Sequence, residues 1–190
     1  MPIGIRGSMS VNAEPKSRRR SILASLKTAV LVCKDCRLHR SSKVFGDGAM
    51  DGIMFISEAP GKGHILFSHD QLHGRQLQAA LALLGLRRRD VYITTLVKCS
   101  PGLRAPYDDE IDACSQYLMT QIALIGPTKI CVLGRVAAID LGLMKRTDKM
   151  TCGKWIDFKG IKTIVAWHPS YIARNHKLFD PWVKQLRMLV

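Results

Sequence analysis

Apolar positions gather into four short runs, each closing on small or polar residues: "GIMFISEAPG" (52–61), "DVYITTLVKCSPG" (90–102), "KICVLGR" (129–135) and "IKTIVAWHPS" (161–170). Runs this short and continuous predict strands buried on both faces. Between them the period changes. In "QLHGRQLQAALALLGL" the residues Leu77, Leu81 and Leu84 share one helical stripe, with Gly85 as the C-terminal stop. "DDEIDACSQYLMTQIALIG" opens on three acids, which favour a helix N-terminus. "VAAIDLGL" predicts a short helix and "PWVKQLRML" a last one. Strand and helix in alternation predict an α/β fold: a three-layer sandwich with a mostly parallel, four-stranded central sheet and helices on both faces. There is no internal repeat, and 190 residues suit one core.

In such a sheet the ligand crevice lies beyond the carboxyl ends of the strands. Glu58, Thr95, Gly134 and His168 each stand late in, or just after, one of the four runs, so distant stretches of chain should converge on one edge. Charge points to what binds there. Lys and Arg number 29 against 15 Asp and Glu, a formal charge of +14, which suits a polyanion, nucleic acid before a membrane surface. No apolar run approaches the roughly 20 residues of a membrane span, and no signal-peptide pattern opens the chain. "MPIGIRGS" reads as a vector-derived leader and "EPKSRRRS" as a disordered basic arm. Residues 1–21 are therefore set apart from a single domain over 22–190.

The chemistry at that edge is a carboxylate and an imidazole. "SEAPGKG" puts Glu58 at a strand end, with Pro60, Gly61 and Gly63 letting backbone approach a ligand closely. "WHPSY" puts His168 at another, with Pro169 fixing the loop and Ser170 able to bond a phosphate. A carboxylate facing an imidazole can divide acid, base and charge-stabilising roles. Nucleophile-elbow, phosphate-loop and zinc-protease motifs are missing from the sequence, which argues against triad hydrolases and nucleotide hydrolysis.

The six cysteines, with no secretory signal, argue for thiols or metal ligands rather than disulfides. Cys131 reads as a core residue and Cys152 lies in a turn. Cys33-x-x-Cys36 is a local ligand pair, and Cys99 and Cys114 are candidates to complete it, flanking the loop "SPGLRAPYDDEIDA". Four thiolates at these spacings suit zinc or an iron–sulfur cluster alike.

"CKDCRLHRSSKVFGDG", "SEAPG", "VYITTLVKC", "RAPYDDEIDAC" and "WHPSYIARN", in this order, resemble the iron–sulfur uracil-DNA glycosylases, family 4 of the uracil-DNA glycosylase superfamily. The resemblance runs from about Cys33 to the end of the chain. It implies a [4Fe–4S] cluster on Cys33, Cys36, Cys99 and Cys114, and a parallel sheet between helix layers. It also implies a DNA glycosylase that hydrolyses the N-glycosidic bond of a flipped uracil, or of another deaminated or modified base, in base excision repair. Glu58 would position water or stabilise the sugar cation, and His168 would bond the departing base. Pro60, Gly61, Pro169 and Ser170 would compress the DNA backbone, with Lys98, Arg104 and Arg174 as phosphate contacts. The expected setting is a cytoplasmic, nucleoid-associated monomer bound to DNA and to no membrane.

Three departures bear on base choice. Thr95 stands where the family pattern has an Asn that reads uracil. "HILFSHDQLHG" replaces a Gly-Arg-Pro-Phe segment, leaving Phe67 to supply the stacking ring, and Ser57 replaces a Gly. His64, His69 and His73 in that loop read as solvated or DNA-facing rather than as a second metal site. Altered base specificity follows from these changes. The alternative is a glycosylase-like module that binds damaged or single-stranded DNA without turnover. Permanent capture of DNA is not expected, because the basic insertion of the crosslinking relatives is missing.

Overall fold

The structure is a computed structural model that describes residues 14–61, 65–150 and 152–190. Its centre is a five-stranded sheet in the order β2-β1-β3-β5-β4, built from β1 (Ile53–Ser57), β2 (Tyr92–Thr95), β3 (Lys129–Leu133), β4 (Trp155–Phe158) and β5 (Ile161–Ala166). The pairings β1–β2, β1–β3 and β3–β5 are parallel, and β4 runs antiparallel against β5. The four runs legible in the sequence are the four parallel strands. The expectation of four strands is corrected to five, because β4 escapes a search for apolar runs. Trp155 and Asp157 are exposed on this edge strand and only Phe158 is buried. A two-residue turn at Lys159 and Gly160, both with positive φ, returns it to β5.

Side chains alternate across the sheet and meet a helical layer on each side. Phe55, Ile93, Cys131, Leu133, Ile164 and Ala166 pack with α2 (Leu72–Leu83), α5 (Pro169–Arg174) and α6 (Phe179–Leu186) through Leu77, Ile172 and Trp182. Met54, Ile56, Tyr92, Ile130, Val132 and Val165 pack on the other face with α3 (Asp108–Ile125) and α4 (Arg135–Asp140). α3 begins on its three acids, as the macrodipole favours, and ends on Gly126 in the left-handed conformation.

The basic stretch after residue 13 is a second correction. A helix, α1, runs Lys16–Val32 and lies against α3. Arg19 is buried there: its guanidinium donates to the Leu124 carbonyl at 3.0 Å and pairs with Asp51, so it caps carbonyls that the end of α3 leaves without helical partners. From Lys16 onward the proposed arm is thus part of the fold, and residues 1–13 lie outside the described residues. The free side of β2 is also covered. Residues 42–48 run antiparallel along it, with Val44 N–H bonded to the Lys98 carbonyl (2.8 Å), Ile93 N–H to Asp47 (2.9 Å) and Ser100 N–H to Ser42 (2.9 Å). Gly48 makes this approach possible, since a Cβ there would fall 1.9 Å from the Val91 carbonyl oxygen.

Candidate active site and thiol pocket

The parallel strands deliver Ser57 and Glu58, Gly134 and His168 to one sheet edge. With Pro60, Gly61, Arg135, Tyr171 and Arg174 they line an open cleft of about 570 Å³. A smaller pocket of about 160 Å³ shares Ser57, Pro60, Gly61 and His168 with the cleft and is walled by Val44, Phe67, Gln71 and His73. Gly134 lets β3 end close beside β5: its φ is +95°, and a Cβ there would lie 3.2 Å from that of His168.

His168 is held from both ring nitrogens. It caps α5 by accepting the Ser170 N–H on Nδ1 at 3.1 Å, and the Ser170 hydroxyl is 2.7 Å from the same atom. With Nδ1 an acceptor, the proton of the neutral ring sits on Nε2, which lies 3.0 Å from Ser57 Oγ. Burial, then the nearby His73 and Arg174, pulls the imidazole down to about 4, so at neutral pH it is an uncharged donor. Glu58 is displaced the other way: burial and the neighbouring Asp140 carboxylate raise it. One cleft thus holds a neutral N–H donor and a carboxylate with raised proton affinity.

Phe67 is buried, and its ring stands 5.6 Å from that of His168 and 5.7 Å from that of His73. Its φ of 53° places it in the left-handed region, an uncommon conformation for a bulky residue and one found where function holds it. Thr95 behaves otherwise. It pairs with Ser57 in the sheet register, but its side chain is fully buried, its hydroxyl donates to the Val97 carbonyl at 2.7 Å, and it lines neither cavity.

Of the residues expected to meet DNA, Pro60, Gly61, Ser170 and Arg174 line the cleft. Lys98 and Pro169 need correction, and Arg104 has a second role in the fold. Lys98 is 1% exposed, with its ammonium turned into the core, and cannot reach a phosphate. Arg104 borders the cleft but is bidentate on buried Glu110 (2.6 and 2.8 Å) and stacked 3.9 Å over Tyr107, so it clamps its own loop. Pro169 is buried as the first residue of α5, where it fixes the helix start. Arg135, Tyr171 and fully exposed Leu103 join the cleft without having been singled out; Arg135 is the last residue of the third run, where the strand-end rule already pointed. Of the loop histidines, His73 lines the smaller pocket, His69 is exposed, and His64, like Gly63, lies outside the described residues.

The opposite face of β2 carries a different site. Cys33 and Cys36, just after α1, line one pocket with Cys99 and Cys114, beside Asp35, Lys98 and Tyr117. The Lys98 N–H donates to Cys114 Sγ at 3.3 Å, a contact that suits a thiolate. Burial pushes the Cys99 thiol up to about 11, and charge on Cys114, Cys36 or Cys33 acts in the same direction. Soft sulfur donors gathered in one pocket fit zinc or an iron–sulfur cluster. Among the described residues, no group of three or more His, Cys, Asp or Glu side chains stands in ready ligand geometry, so the donors share a pocket without being drawn onto one point. Among the same residues no helix is long and apolar enough to cross a membrane.

The profile of the Uracil DNA glycosylase superfamily matches residues 45–188. A Type-4 uracil-DNA glycosylase of Pyrobaculum aerophilum is 34% identical, over 87% of this chain and 92% of its own. One from Archaeoglobus fulgidus is 30% identical over 84% and 87%, and one from Thermotoga maritima 34% identical over 83% and 86%.

Proposed function

The chain belongs to the uracil-DNA glycosylase superfamily, and from that premise we infer that it excises uracil, or another deaminated or modified base, from DNA. The observation that carries this reading is the meeting of Glu58 and His168 in one cleft, with the His168 proton fixed on Nε2. Breaking the glycosidic bond sends its electron pair to the base and leaves positive charge on the sugar. His168 Nε2–H, held by Ser57 in the resting site, donates to a base oxygen as charge grows there. The Glu58 carboxylate faces the sugar, stabilises its charge and accepts a proton from the water that adds to C1′; its raised proton affinity suits that last step. The smaller pocket takes the extruded base against Phe67. Arg135 and Arg174 meet phosphates, while exposed Leu103 and Tyr171 offer apolar surface where a nucleotide leaves the stack.

Cys33, Cys36, Cys99 and Cys114 hold a [4Fe–4S] cluster in this reading, which ties the end of α1 to β2 and α3. Bound there, the cluster supplies cross-linking of the fold rather than bond-making, since the thiols lie across β2 from the cleft. A cytoplasmic, nucleoid-associated monomer remains the proposed setting. One observation favours a second reading, altered base choice or binding without turnover: the Thr95 hydroxyl, in place of a base-reading amide, is bonded to Val97.

The deciding experiment is single-turnover cleavage of oligonucleotides bearing uracil, hypoxanthine, xanthine or hydroxymethyluracil, with alkali to reveal abasic sites. Glu58→Gln and His168→Ala should each slow cleavage by roughly 100-fold or more with DNA affinity little changed. Wild-type protein that binds DNA and cleaves none of the four would establish the binding module.

A further inference from the structure

Lys98 lines the thiol pocket with its N–H on Cys114 Sγ, and its fully buried side chain runs in the layer between β2 and α3. There the ammonium donates to Thr94 Oγ1 (2.7 Å), to the Thr95 carbonyl (2.6 Å) and to Gln121 Oε1 (2.7 Å). Gln121 is fixed in turn, its amide donating to the Phe45 carbonyl and to Tyr92 Oη, both at 2.8 Å. All three ammonium protons have acceptors, and every acceptor is neutral. Among the described residues the ionisable side chain that faces Lys98 is the Cys114 thiol. A buried cation with hydrogen bonds and no anion is costly. Burial pulls the Lys98 ammonium down to about 7, yet three acceptors ranged round Nζ suit its protonated form, and no carboxylate among the described residues balances it.

We propose that the Lys98 ammonium is the fixed counter-charge of the metal–thiolate centre held by Cys33, Cys36, Cys99 and Cys114. The proposal rests on the cluster reading above. Four thiolates outweigh the charge of a zinc ion or of a [4Fe–4S] core, so the loaded pocket is a net anion either way. The same residue addresses that anion twice, by its N–H on Cys114 Sγ and by its charge. Substituting the side chain leaves the N–H in place, so the two contributions separate. A cation beside the centre favours the more negative, reduced form and makes dissociation of metal less favourable.

The test compares anaerobically purified wild type with Lys98→Arg, Lys98→Met and Lys98→Gln, reading iron content, rate of absorbance loss under a chelator, and reduction potential. Lys98→Arg should match wild type. Lys98→Met and Lys98→Gln should both lose the centre several-fold faster and shift the potential negative. Gln121→Glu, which sets a carboxylate against the ammonium, should shift it in the same direction and serves if the Lys98 variants do not fold. A Lys98→Gln protein indistinguishable from wild type would make Lys98 only a hydrogen-bonding hub and overturn the proposal. An unchanged potential in every variant would do the same. A colourless or zinc-loaded wild type would instead overturn the cluster reading itself, and this proposal with it.

Discussion

Neighbouring threonines at the end of β2 face opposite sides of the sheet. Thr95 lies on the α2 side, beside Ser57 and below the cleft of Glu58 and His168, whereas Thr94 lies on the α3 side and bonds Lys98 and Gln121 beneath the four thiols. The cleft is complete in the chain as it stands: helix capping and Ser57 set the tautomer of His168, and burial keeps its ring neutral. In the cluster reading the thiol pocket differs: its sulfurs and Lys98 would be balanced by a bound metal centre. Pre-organisation in the first comes from hydrogen bonds between neutral groups, which need nothing further. In the second it depends on a charge balance that the polypeptide alone does not close. A site of the first kind should tolerate purification and storage, and one of the second kind should fail when its metal is lost.

The largest effect that would sharpen this contrast comes from the thiol side. Cys99→Ala or Cys114→Ala should abolish the visible absorbance of the cluster and lower the thermal midpoint markedly, since metal binding and folding are linked. Full stability in either variant would break the comparison. A smaller effect belongs to the cleft: Thr95→Asn should change uracil cleavage by up to about 10-fold, the worth of one hydrogen bond in a dry pocket. Unchanged rates would assign base choice to Phe67 and His73, which already line the pocket. The smallest concerns pH. Because burial depresses His168 from 6.5 to about 4, the folded chain binds fewer protons than the unfolded one in that window, and stability falls as pH drops through it. His168→Gln should flatten that part of a denaturant-midpoint profile; an unaltered slope would mean that the ring is not neutralised by its surroundings.

Much of this layout was legible in the chain. Near-continuous apolar runs announced β1, β2, β3 and β5, and the strand-end rule brought Glu58, Gly134 and His168 to one cleft. The four cysteines were readable as a set despite their separation in sequence. What escaped was decided by tertiary packing. β4 carries its burial on Phe158 and its turn on Lys159 and Gly160, too little for a periodicity search. Lys98 looked like a phosphate contact because nothing local says which way a long side chain turns, and Arg19 looked solvated because its acceptors, on Asp51 and Leu124, lie 32 and 105 residues away. The direction of the Thr95 hydroxyl was equally invisible, being set by a carbonyl two residues on.

The cover over β2 gives the thiol pocket a second importance. Residues 42–48 occupy the outer rim of an edge strand, and their attachment includes the bridge between Lys43 and Cys99, one of the four thiol residues. An unpaired sheet edge is a template for pairing with another chain. If the four thiols hold a cluster as proposed, its oxidative loss should loosen more than a ligand set: the strip following Cys36 should peel back and bare the rim of β2. Damage of this kind should end in self-association and insoluble protein, with the neighbouring cleft chemically intact until the sheets meet.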